Sequence, residues 1–210
     1  MTAVSTVRGP AAWLRQVNID TDVIIRIERL TEGGLSQVGR YAFEALRYNP
    51  DGSENPEFVL NQPGYRGAPI LIAGANFGCG SSREPAVDAI RAMGIRVVIA
   101  PSFGDIFYSN CFQGGLLPIQ LDEAVVTSLG QQAAASLAEF VVDLEATLVV
   151  PAEGKPVRFE IDGHRRTMLL EGLDEIQVTL KDAAAIREWQ RRDRGSRPWM
   201  WERLGKGAGA

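Results

Sequence analysis

From residue 69 onward the sequence settles into a rhythm that few folds accept. Pro69-Ile70-Leu71-Ile72-Ala73 is a short apolar run. A helical stretch over 84–93 follows, then an apolar run over 96–100, a second helical stretch over 103–112 and a third apolar run over 117–121. Apolar runs this short, alternating with helical segments, read as buried parallel strands joined by crossover helices. The pattern predicts an α/β domain built on a mostly parallel sheet. Gly94 and Gly114-Gly115 stand where such helices end.

The flanking segments read less regularly. Residues 12–17 form a short strand, and Asn18-Ile19-Asp20-Thr21-Asp22 a turn, because Asn and Asp side chains bond their own backbone. Residues 23–30, with Arg26 and Arg29 interleaved, form a short helix or loop wall. A glycine-bearing loop covers 31–39, a helical turn or two anchored by Phe43, Leu46 and Tyr48 covers 41–48, and 49–56 is a turn cluster. Residues 123–137 are helical, with Gly130 as an interruption. Residues 140–144, 147–150 and 157–161 are strands by their β-branched content and predict an antiparallel edge or second layer. Residues 165–170 and 182–192 are helical. With no internal repeat and no linker, the chain is expected to be a single domain over 1–210, its core at about 12–190 and its tail at 191–210. Trp189, Trp199 and Trp201, among arginines in or near that tail, would dock on a partner or fold back.

Composition excludes several classes. A formal charge of −4 gives no basic field for nucleic acid. No apolar run has the length of a membrane span, and Met1 to Pro10 carries no secretory apolar core. A cytoplasmic protein is expected. The two cysteines, Cys79 and Cys111, match no zinc or iron–sulfur spacing, and His164 is the sole histidine. No metal site is expected on this chain.

The stretch Gly74-Ala75-Asn76-Phe77-Gly78-Cys79-Gly80-Ser81-Ser82-Arg83-Glu84 joins a buried strand to a helix N-terminus, at the carboxyl edge of the sheet where ligands bind in α/β domains. Gly78 and Gly80 allow a tight turn and a close backbone approach. Unpaired first-turn N–H groups and the helix dipole favour an anion. Arg83 adds a planar charged fork, and Ser81 and Ser82 add hydroxyls. The same residues also suit a serine N-cap with a surface ion pair, so they leave a structural turn open. No lysine follows as in a P-loop, and Gly-x-Ser-x-Gly is not satisfied.

Several blocks in order carry a family resemblance. Asn18-Ile-Asp-Thr-Asp-Val-Ile-Ile, Asn55-Pro-Glu-Phe-Val-Leu-Asn-Gln-Pro, Asn76-Phe-Gly-Cys-Gly-Ser-Ser-Arg-Glu, Ala100-Pro-Ser-Phe-Gly-Asp-Ile-Phe and Gly114-Gly-Leu-Leu-Pro resemble the small subunits of 3-isopropylmalate dehydratase. These are swivel domains of the aconitase family. The resemblance implies a swivelling β/β/α fold. It also implies a large partner subunit whose three cysteines hold a [4Fe–4S] cluster with one iron free for substrate, while this chain binds no cofactor. The implied reaction moves a hydroxyl between adjacent carbons of a malate through a maleate, within leucine biosynthesis. Ser81 then looks like the base that takes the proton α to a carboxylate, and Ser82 and Arg83 look like carboxylate ligands of a hydroxy-diacid. Thr21 and Asp22, with Gly78 and Gly80, are expected to order the loops.

The chain departs from the family pattern twice. Pro85 stands where His is common, a position in the first helical turn that proline suits. Arg26 stands where Pro is common, and is expected to reach a substrate carboxylate, as Arg29 or Arg40 would. The loop 26–40, with Leu30, Leu35 and Val38, is expected to select the substrate's substituent. Citraconate or a dimethylmaleate therefore stay open as alternatives, and so does a non-catalytic module binding an anion or a partner.

Overall fold

The computed structural model describes residues 2–32, 38–81 and 84–201. Contacts divide the chain into two units, Met1–Gly172 and Leu173–Ala210. In chain order the first unit comprises β1 (Thr6–Gly9), β2 (Ala11–Leu14), α1 (Thr21–Ile24), α2 (Ile27–Glu32), α3 (Val38–Tyr41), α4 (Glu44–Arg47) and a 3-10 turn (Val59–Asn61). The regular part follows: β3 (Ile70–Ala73), α5 (Glu84–Ala92), β4 (Val97–Ala100), α6 (Asp105–Gly114), β5 (Leu117–Gln120), α7 (Glu123–Ala135), β6 (Phe140–Asp143), β7 (Leu148–Val150), β8 (Val157–Arg158) and α8 (Gly163–Glu171).

Two four-stranded sheets result. The first is parallel, in the order β2-β3-β4-β5, and the second is antiparallel, in the order β1-β6-β7-β8. The predicted parallel sheet and the extra antiparallel layer are both present. Register explains why the parallel strands read as continuous apolar runs. Trp13, Ile72, Ile99 and Ile119 lie abreast, and with Ile70, Val97 and Leu117 they enter the core shared with α7 and the antiparallel sheet. The alternate residues Leu14, Leu71, Ala73, Val98 and Ala100 enter the opposite core, with Ala86, Val87 and Ile90 of α5. Side chains alternate across a strand, so covering both faces requires both sets to be apolar.

Three local readings differ from the sequence. Strand β1, before the expected first strand, pairs antiparallel with β6 from Thr6↔Asp143 to Gly9↔Phe140; its half-buried pattern is too short to stand out. The stretch 23–30 is two helices broken at Ile25, whose extended φ of −152° ends α1. Helix α7 runs unbroken through Gly130. A Cβ at Gly130 would lie 2.4 Å from Trp13 Cε2, so this glycine lets the helix lie directly on an indole of β2.

The second unit contains α9 (Glu175–Leu180), α10 (Ala183–Ser196) and α11 (Pro198–Trp201). A capping box opens α9: Asp174 accepts from Gln177 N, and Gln177 accepts from Asp174 N. Asp193 of α10 is 9% exposed and ties α11 down. Its carboxylate accepts from Trp201 Nε1 at 2.9 Å and from Arg197 Nε at 2.7 Å. Of the expected tail tryptophans, Trp201 packs onto α10 within the same unit, while Trp199 is exposed.

Two outcomes follow from this packing. Gly130→Ala should destabilise the first unit by about 1–3 kcal/mol through overpacking against Trp13, measured by urea denaturation. The Trp201 hydrogen bond, then Arg197, holds the Asp193 carboxyl below its ordinary value. A depressed native value stabilises above the unfolded aspartate pKa and is lost as pH falls through the native one. Tryptophan fluorescence should therefore report release of α11 on acidification below roughly pH 4, a step missing in Asp193→Asn.

Candidate active site

The carboxyl ends of β2, β3 and β4 leave three loops, and backbone hydrogen bonds sew them together. The loop after β3 runs as a central thread. On one side, Asn18 N donates to the Ala75 carbonyl at 2.9 Å, Gly78 N to Ile19 at 2.7 Å, and Thr21 N to Cys79 at 2.9 Å. On the other, Phe77 N donates to the Ser102 carbonyl at 3.0 Å and Gly104 N to Phe77 at 2.9 Å. The bridges Asp20↔Cys79 and Phe77↔Phe103 extend the sheet's parallel pairing beyond the strand ends.

Phe77 anchors the thread. It is wholly buried and packs edge-on against Phe107 and Phe103, with ring centres 5.5 and 6.4 Å away. Gly78 then turns with φ +69°, and a Cβ there would lie 2.2 Å from Phe107 Cγ. Any side chain would therefore meet both a disfavoured backbone conformation and a ring. Gly80 has φ +89°, beside Asp20 and Thr21. Both glycines expected to shape the loop occupy turns that need them.

Asp20 caps α1 by accepting from Val23 N at 2.7 Å. This capping fixes Thr21, 2% exposed, whose hydroxyl donates to the Ser81 carbonyl at 2.8 Å. Thr21 and Ser81, singled out separately in the sequence, are thus brought together across sixty residues. Ser81 itself is exposed, and Asp22 is exposed in the first turn of α1. Helix α5 begins at Glu84 with Pro85 inside its first turn, as proline's missing N–H allows. The expected ligands Ser82 and Arg83 lie outside the described residues, as does Leu35 of the expected selectivity loop.

Of the three arginines expected near a substrate carboxylate, Arg29 is committed elsewhere. It forms a bidentate pair with Glu44 at 2.9 and 2.7 Å and lies over Tyr41. Arg26 is exposed between α1 and α2, and Arg40 is exposed on α3.

Sequence reasoning read Asn18 only as a turn residue and gave Asn76 no role of its own, yet the two lock the thread. Asn18 and Asn76 both adopt left-handed backbone, with φ 55° and 59°. Asn76 Nδ2 donates to Asn18 Oδ1 at 2.8 Å, and Asn76 N donates to Ser102 Oγ at 2.8 Å. The available signal was residue type, since asparagine is enriched in that conformation.

Among the described residues no group of three or more His, Cys, Asp or Glu side chains is gathered to hold a metal ion. Cys111 is buried, and burial pushes its thiol well above the ordinary value. Cys79, in the thread, is half-exposed. These two do not fit a cluster seat.

Comparison with known proteins gives consistent matches. Residues 1–124 match the aconitase C-terminal domain family. The 3-isopropylmalate dehydratase small subunit of Cereibacter sphaeroides is 49% identical over 201 residues, covering 95% of this chain and 100% of the relative. That of Paracoccus denitrificans is 48% identical with the same coverage. The crystal structure of 3-isopropylmalate dehydratase (leuD) from Methanocaldococcus jannaschii superposes with a TM-score of 0.64 at 26% identity, over 87% of this chain and 99% of that one.

Gly78→Ala should destabilise the fold by about 2–5 kcal/mol, the sum of left-handed strain and overpacking. Thermal or urea denaturation measures it; a change under 1 kcal/mol, roughly the worth of one hydrogen bond, would show the thread to be loose.

Proposed function

The chain belongs to the 3-isopropylmalate dehydratase small subunits of the aconitase family, and from that premise we propose that it is one half of a hydro-lyase. With its large subunit, in the cytoplasm, it interconverts 2-isopropylmalate and 3-isopropylmalate through 2-isopropylmaleate, in leucine biosynthesis. The observation that carries this reading is identity near one half along almost the whole of both chains.

The proposal assigns roles to this chain's residues. Ser81 is the base that accepts the proton α to a carboxylate. A neutral serine is a poor base at pH 7, so its surroundings must favour the charged form. The N-terminus of α5 lies three residues on, and its unpaired N–H groups favour negative charge there. Ser82 and Arg83 bind a substrate carboxylate, Arg83 through its two-pronged fork. Thr21 positions Ser81 by holding its carbonyl, and Gly78, Gly80 and Asp22 order the same loops. Arg26 takes a second carboxylate, a role from which the Glu44 pair removes Arg29.

The [4Fe–4S] cluster belongs, in this proposal, to the large subunit. Among the described residues no helix is long and apolar enough to cross a membrane. The partners proposed are the large subunit and a small hydroxy-diacid, with neither nucleic acid nor membrane among them.

The test is anaerobic mixing with the cluster-bearing large subunit, assayed on 2-isopropylmaleate, citraconate and dimethylmaleate by alkene absorbance. Turnover is expected only in the mixture and fastest on 2-isopropylmaleate. Ser81→Ala should lower kcat by about 10²–10⁴, the usual worth of a positioned base. Its co-elution with the large subunit should be unchanged. Near-normal turnover in that variant would remove Ser81 from the chemistry.

A further inference from the structure

A cavity of about 510 Å³ lies beside β2, lined by Trp13 and Arg15 on one side and by Leu46, Glu57, Phe58 and Val59 on another. Strand β2 is an edge of the parallel sheet, so no further strand of the sheet fills the space. The size falls within that of small-molecule sites, which are mostly apolar with a few placed polar groups.

The charges are the telling feature. Elsewhere in this unit, arginines near carboxylates close on them: Arg29 on Glu44 at 2.7 Å and Arg66 on Glu54 at 2.6 Å. Arg15 and Glu57 line one cavity, yet among the described residues neither makes an ion pair. Arg15 is instead held over the Trp13 ring, its guanidinium carbon 4.3 Å from the centre. Stacking leaves the in-plane N–H groups of a guanidinium for another acceptor. Glu57 is exposed, and its backbone N–H is taken by Asn55 Oδ1 at 3.0 Å, which fixes the main chain beneath its carboxylate. One cation and one anion on the same cavity, beside the apolar Trp13, Leu46, Phe58 and Val59, leave a slot for a molecule carrying both charges and an apolar body.

We propose that this cavity binds a free α-amino acid with an apolar side chain. Its carboxylate meets Arg15, its ammonium meets Glu57, and its side chain lies against Trp13, Leu46, Phe58 and Val59. A dicarboxylate would be repelled by Glu57, so the site is distinct in chemistry from the one that holds Ser81.

Isothermal titration of the full chain, without large subunit or substrate, tests this independently of any hydro-lyase activity. The probes are L-leucine and L-phenylalanine. The controls are 4-methylpentanoate, which lacks the ammonium, 3-methylbutylamine, which lacks the carboxylate, and glycine, which lacks the side chain. Saturable binding is expected for the two apolar amino acids, with every control weaker. Arg15→Gln and Glu57→Gln should each weaken binding about tenfold or more, about 1.4 kcal/mol, with circular dichroism unchanged. Glu57 is exposed, so its variant keeps the test alive if Arg15→Gln disturbs Trp13. The proposal is overturned by no saturable binding of either amino acid, by 4-methylpentanoate binding as tightly as leucine, or by unaltered affinity in a folded Glu57→Gln.

Discussion

Everything at the carboxyl edge of the parallel sheet depends on one buried ring and the turn beside it. Phe77, wedged against Phe103 and Phe107, fixes where the loop after β3 passes between its neighbours. Gly78 then lets the backbone lie against Phe107 while turning. Loops carry unpaired polar groups and are mobile unless those groups are satisfied. Here they are satisfied by one another, so that three loops behave as a continuation of the sheet. A side chain on a loop is only as well placed as its backbone, and this arrangement leads from the Asp20↔Cys79 bridge to Ser81, whose carbonyl Thr21 holds.

The sheet beneath it is held from both sides. Residues abreast in the register, such as Ile72, Ile99 and Ile119, face α7 and the antiparallel sheet, while Leu71 and Val98 face α5. Gly130 admits Trp13 against α7, and Arg15, two residues on from Trp13, covers the same indole. Edge strand β2 thereby does two things. It starts the loop that bonds to Ser81, and it walls the cavity where two opposite charges stand apart.

The site is asymmetric in its chemistry. This chain offers backbone N–H groups, hydroxyls and an exposed arginine, but no gathered metal ligands among its described residues. Such groups have the chemistry to bind and orient an anion, and the chain is similar along almost its whole length to 3-isopropylmalate dehydratase small subunits.

The sequence by itself determined the parallel sheet, because fully buried strands must be apolar at every position and the helices between them must supply crossovers. It also marked the strand-to-helix loop at Ser81, where glycines, serines and a charged fork suit an anion as well as a capped turn, and the motif blocks tied the loop to a family. Only the tertiary structure decided what lies beside what. The Thr21–Ser81 bond and the Asn18–Asn76 lock join residues about sixty apart in the chain, and no local pattern encodes such a pairing. Strand β1 escaped notice because four half-buried residues carry too little periodicity. Gly130 read as a helix interruption because propensity weighs a residue against its own helix, whereas its role is set by an indole more than a hundred residues earlier. The commitment of Arg29 to Glu44, and the separation of Arg15 from Glu57, are likewise matters of distance, which a sequence does not contain.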